Sequence, residues 1–198
     1  MSSHSYEVIL FGDFFAKDLK PILNRITLHS DSSRPYQSRE VVFEPTGAQT
    51  NNTEPVYLRA KKEISDPNAP WEVFSYLKPE SVRIHPEATV RPWTTCEVVG
   101  DSVSFAAALG FIQRSQMYMR GYAFRRGPLL ITMCQQEHLD PKTQLPTPAH
   151  TDALWQVEVK TAHPVWNTPE TPLTKSVEAV LEVQLLMKGL LDLGRRDV

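Results

Sequence analysis

The sequence predicts an α+β fold, a single domain over residues 1–198 built as an eight-stranded, mostly antiparallel β-barrel with about three helices. Three observations point there. Segments rich in β-branched and aromatic residues recur along the whole chain; most of them alternate apolar with polar side chains; and the connections between them are mostly short, as antiparallel neighbours require. Eight such strands are enough to close a barrel and remove exposed edges.

In chain order the strand segments are YEVILFG at 6, SREVVFEP at 38, PVYLRAKKE at 55, WEVFSYLK at 71, ATVRPWTTCEVVG at 88, MYMRGYAFRRG at 117, PLLITMCQQE at 128 and ALWQVEVKT at 153. Tyr57, Arg59 and Lys61 oppose Val56, Leu58 and Ala60, and Trp155, Val157 and Val159 oppose Gln156, Glu158 and Lys160. That is the pattern of a sheet with one buried face. Gly127 offers a residue free to take positive φ, and Pro128 is acceptable at a strand start, so RGYAFRRG and GPLLITMC are read as a hairpin.

Three segments break the period of two. In FAKDLKPILNRITLHS, Leu19, Ile22, Leu23 and Ile26 stand at helical spacing, with Asp18 as cap and Pro21 in the first turn. DSVSFAAALGF reads as a short helix capped by Asp101 or Ser102 and ended by Gly110, with Phe111 closing over the end. In TPLTKSVEAVLEVQLLMKGLLDLGRR, Thr171 caps, Pro172 takes the first helical position, and Val180, Val183, Met187 and Leu190 form a stripe widened by Leu181, Leu186 and Leu191. Arg195 and Arg196 complement the dipole at its end. The 16 prolines gather in loops: NNTEP at 51, SDPNAP at 65, HLDPKTQLPTPAHTD and HPVWNTPETP.

Composition narrows the function. With 41% apolar and 22% charged residues the chain is read as soluble and globular, and a net charge of −2 gives no global attraction to phosphate backbones or anionic membranes. Cys96 and Cys134 stand alone without a CxxC or a histidine at ligand spacing, so neither a zinc site nor a disulfide framework is predicted. MSSHSYEVIL lacks a secretory pattern, and no apolar run reaches membrane-spanning length. No nuclear address is visible, because KK at 61 and RR at 125 and 195 are isolated doublets.

Two motifs offer chemical readings. RGYAF at 120 fits the start of an RNA-recognition signature, with Tyr122 and Phe124 placed on one strand face to stack on bases. The signature breaks at Arg125 and Gly127, no upstream aromatic strand partners it, and the sheet is too wide, so nucleic-acid binding is not expected. The first strand can be set beside that of triphosphate tunnel enzymes, whose barrels use Glu-x-Glu-x-Lys so that alternate carboxylates hold a divalent metal. Here Glu7 is followed on its face by Ile9 and Phe11, leaving one carboxylate. Arg59, Lys61, Arg91, Arg125 and Lys160 are candidates for a tunnel lining, but alternating charge reads first as a solvated face.

The six histidines are scattered, and no GxSxG, HExxH, Walker loop or GxGxxG occurs. No catalytic, metal or cofactor-binding residue is assigned. A binding role remains, and the rigid aromatics Trp71, Phe74, Tyr76, Trp93 and Trp155 are the candidate partner-binding residues, each also explicable as core filling.

The ordered features carry a resemblance. The opening Tyr6-Glu7 strand with Gly12 and a helix after it, YLRAKKE at 57, the Pro70-Trp71 strand start, LGF at 109, RGYAFRRGPLLITM, ALWQVEVKT and the amphipathic last helix follow one another as in subunit 18 of the Mediator coactivator complex, in a form like those of fungi. The likeness runs over essentially the whole chain. It implies a barrel shaped like the triphosphate tunnel enzymes but without their activity, a heterodimer with Mediator subunit 20, and a docking site for a C-terminal segment of subunit 8. It further implies a place in the nucleus within the head module, which links regulators to RNA polymerase II. The alternative is a tunnel-type phosphohydrolase with an atypical metal site.

Overall fold

A computed structural model describes residues 4–47, 55–143 and 145–196. Residues 51–54 of the NNTEP loop and Gln144 of the later proline-rich loop lie outside the described residues.

Eight strands close on themselves. They are β1 (Ser5–Phe14), β2 (Ser32–Pro45), β3 (Leu58–Glu63), β4 (Trp71–Tyr76), β5 (Thr89–Val98), β6 (Phe111–Arg126), β7 (Leu129–Leu139) and β9 (Trp155–Thr161). Around the barrel the order is β1-β5-β4-β3-β2-β6-β7-β9 and back to β1, antiparallel throughout. Two-residue strands β8 (Pro146–Thr147) and β10 (Val165–Trp166) add to β7 and β1. The sequence marks all eight wall strands but shortens β2 and β6, which run for 14 and 16 residues and pair with each other through an irregularity between Val42 and Phe43. The hairpin turns at Gly127, φ +51°.

Three helices cover the barrel from outside: α1 (Leu19–Leu28), α2 (Ser102–Ala108) and α3 (Leu173–Met187). The Asp101 carboxylate accepts from the amides of Val103 and Ser104, capping α2 as its sequence predicts. Asp18 does not cap α1, because a 3-10 turn at Ala16–Asp18 leads into the helix. Thr171 does not cap α3 either; its hydroxyl is engaged by the Trp166 carbonyl at 2.7 Å, and the helix begins after Pro172. Nor do Arg195 and Arg196 complement the α3 dipole, since the helix ends at Met187 and the chain continues past Gly189 in an irregular path along β1. No helix among the described residues is long and apolar enough to cross a membrane.

The apolar faces of the strands point outward, toward the helices. Val8 and Leu10 of β1, Val90 of β5, Ile131 and Met133 of β7 and Val157 and Val159 of β9 are buried against Ile22 and Ile26 of α1 and Val180, Val183 and Met187 of α3. Val41, Phe43, Ala60 and Val73 form a second cluster with Ala106 of α2. The alternate residues therefore face the lumen, and these are largely polar. This corrects the sequence expectation for β3 and β9: the alternating charges form the inner lining of the barrel, because the apolar side is already engaged by helices outside.

Candidate functional site

The lumen is a cavity of about 880 Å³ lined by residues that include Phe11, Tyr36, Tyr76, Cys134 and Glu158. Four cations, Arg59, Lys61, Arg91 and Lys160, meet three carboxylates, Glu7, Glu40 and Glu158. Glu7 and Arg91 are directly opposed in the β1–β5 register. Both are buried, and the guanidinium grips one carboxylate oxygen through Nε at 2.7 Å and Nη2 at 2.6 Å. Lys160 Nζ stands 3.1 Å from the other oxygen, an ion-pair distance at which Oε1 has no donor in hydrogen-bond geometry. Arg59 pairs with Glu40 at 2.6 Å.

Aromatic faces complete the packing of these charges. Arg91 lies over Tyr76 with 3.4 Å from the guanidinium carbon to the ring centroid, and Lys160 Nζ is 5.7 Å from the Trp93 ring. Burial acts to raise the Glu7 carboxyl, and the charges of Lys160 and Arg91 overcome it, holding the group below its ordinary range. The Lys160 ammonium is disfavoured by burial, yet Glu7 holds its pKa above the usual lysine range. Burial likewise pushes the Tyr76 phenol up. Glu7 and Glu40 are thus neutralised from within the lumen, by Arg91 and Lys160 and by Arg59. A metal on β1 would need the Glu7 carboxylate that two cations already hold, and among the described residues no three His, Cys, Asp or Glu side chains gather where an ion could be bound.

The sequence-predicted residues fall into separate places. Arg59, Lys61 and Arg91 line the cavity and Lys160 reaches Glu7, whereas Arg125 sits beside His163 at 3.3 Å and lines no part of it. The aromatic candidates are not a common surface. Phe74, Tyr76 and Trp93 face inward, Phe74 and Tyr76 with ring centroids 4.9 Å apart; Trp155 stacks between Phe14 and Tyr122 beneath the helices. Trp71, half-buried, packs on the cluster under α2, with Arg39 over its ring. Phe74, Trp93 and Trp155 are buried, so core filling accounts for all three. Tyr122 and Phe124 likewise pack against that core, leaving no stacking platform for bases.

The Glu7–Arg91 pair escaped the reading of the sequence. Its signal was available: opposite charges at matching positions of two strands that become neighbours only when the barrel closes.

Comparison with known proteins then decides the lineage. The family model described as Med18 protein matches residues 6–198. The chain belongs to the Med18 family. A relative from Danio rerio, Mediator of RNA polymerase II transcription subunit 18, is 26% identical over 129 residues, 64% of this chain and 61% of the relative. The match thus spans less than two thirds of the curated relative's length. In structure, a chain of the Schizosaccharomyces pombe Mediator head module superposes with a TM-score of 0.78 at 16% identity, covering 98% of this chain and 100% of that one. A putative adenylyl cyclase from Hippeastrum, described as having a dominant triphosphatase activity, shares the barrel with a TM-score of 0.55 at 12% identity, covering 94% and 90%. The Med18 chain and the Hippeastrum protein therefore hold one fold in common, and at that identity the likeness shows the fold alone.

Proposed function

We propose that this Med18-family chain is a non-enzymatic adaptor of the Mediator head module in the nucleus. On this reading it pairs with Mediator subunit 20, receives a C-terminal segment of subunit 8, and passes the state of regulators on to RNA polymerase II. Family membership motivates the module. The engagement of Glu7 by Arg91 and Lys160 is the observation that carries the non-enzymatic part, since it occupies the position from which a tunnel enzyme would hold its metal. A rigid barrel with two helix-covered sides offers partners a fixed surface, and recognition is expected to use apolar contacts of partner segments against that exterior.

The Hippeastrum likeness gives the rival its footing: a phosphohydrolase with an atypical site. A ligand that binds the native state raises its melting temperature by mass action. Thermal melts with tripolyphosphate and Mg or Mn separate the two readings. The adaptor melts at the same temperature with and without them and releases no phosphate; a rise with turnover would replace the adaptor by an enzyme.

A further inference from the structure

The loop between β4 and β5, residues 77–88, stands at one mouth of the lumen, where Leu77, Lys78 and Pro79 contribute to the lining. It has little apolar anchorage. Its own aliphatics Val82 and Ile84 are 52% and 62% exposed, and only Ala88 at its end is buried. Polar contacts from elsewhere hold it instead. The Arg195 guanidinium reaches three of its backbone carbonyls, with Nη1 2.5 Å from His85 O and 3.2 Å from Ala88 O, and Nη2 2.6 Å from Glu80 O. A planar fork of donors is suited to span carbonyls of one turn in a way that a single ammonium cannot.

The residues around Arg195 close the barrel wall itself. β1 pairs with β5 only from Tyr6 to Ile9. Beyond that, Phe11 exchanges two 2.9 Å backbone hydrogen bonds with Gly194. Arg196 continues the seam: its amide donates to Thr89 Oγ1 at 3.1 Å, its carbonyl accepts from the same hydroxyl at 2.7 Å, and its side chain pairs with Asp13 at 2.5 Å. Phe11 is itself a lining residue. One short stretch therefore touches both the wall of the lumen and the loop at its mouth.

We propose that residues 194–196 are a displaceable strap, and that Arg195 latches the 77–88 loop at the mouth so that lifting the strap opens the lumen. The strap couples the C-terminal stretch to the barrel interior without any change in the other strands. Leu191 and Leu193 are buried in the helix-covered core and anchor the chain before the strap, so opening is confined to the hydrogen bonds and ion pair of residues 194–196, well below the cost of global unfolding.

Cys134 lines the same cavity and is 4% exposed, so its thiol reports on access, while Cys96 is exposed and is removed by Cys96→Ser. In that background Arg195→Ala is compared with the parent by hydrogen exchange of residues 77–90 and by maleimide labelling of Cys134. The expected result is faster exchange in the loop together with labelling accelerated about tenfold or more. A Val180→Ala variant, opening a cavity in the helix-covered core, shows how much labelling follows from lost stability alone. Faster loop exchange with unchanged Cys134 labelling, or labelling no faster than in Val180→Ala at matched melting temperature, overturns the gate. No change in loop exchange overturns the latch. Should Arg195→Ala fail to fold, Arg195→Lys keeps the charge but not the three-carbonyl span, and the same two signals are read on it.

Discussion

A glutamate without solvent exposure persists in this lumen because two cations reach it from neighbouring strands, one on each oxygen. Breaking such a cluster by removing one partner costs more than the cluster contributes, since the others stay buried and uncompensated. Glu7→Gln leaves Arg91 and Lys160 facing each other, and equilibrium denaturation should show a loss of about 3–5 kcal/mol. Dependence on pH fixes the cause. Because the folded carboxyl titrates below its ordinary value of 4.5, its contribution is present above that value and is lost as pH falls through the folded pKa. The stability gap between parent and Glu7→Gln should therefore be full at neutral pH and narrow in acid. A gap that does not change with pH would point to packing instead of charge.

The same eight strands that alternation marked form the wall, and helix spacing placed all three helices, since both signals are local. Facing was not local. Arg59 and Lys61 on β3 and Glu158 and Lys160 on β9 alternate just as a solvated surface does, and only helices brought from distant sequence decide that the apolar side faces out. Gly121 shows the limit most clearly. In RGYAF it resembles the glycine of an RNA-binding signature, but a Cβ there would lie 2.0 Å from the Met133 carbonyl oxygen and 2.8 Å from Cys134 Cα. The glycine is needed for the close approach of β6 and β7. Gly121→Ala should destabilise the barrel by about 1–3 kcal/mol or more, read by thermal or chemical melting; an unchanged midpoint would mean that the hairpin relaxes at no cost.

Taken whole, the molecule is a closed wall wrapped by helices around an interior in which most charge is neutralised from within. Composition and net charge of −2 pointed away from nucleic acid, and the ordered strands and helices carried the family likeness, yet the partner-binding residues stayed out of reach. Large aromatics were the natural candidates, and Phe74, Trp93 and Trp155 proved to be buried, because a barrel with two faces to pack consumes its largest side chains. On the adaptor reading partners meet the folded exterior, which no short motif records. The most direct measurement is co-expression of this chain with subunit 20 and the C-terminal segment of subunit 8 from the same organism, followed by size exclusion with light scattering. The account predicts one complex whose mass equals the sum of one copy of each. A chain that elutes alone as a monomer, with both partners soluble beside it, would contradict the adaptor reading.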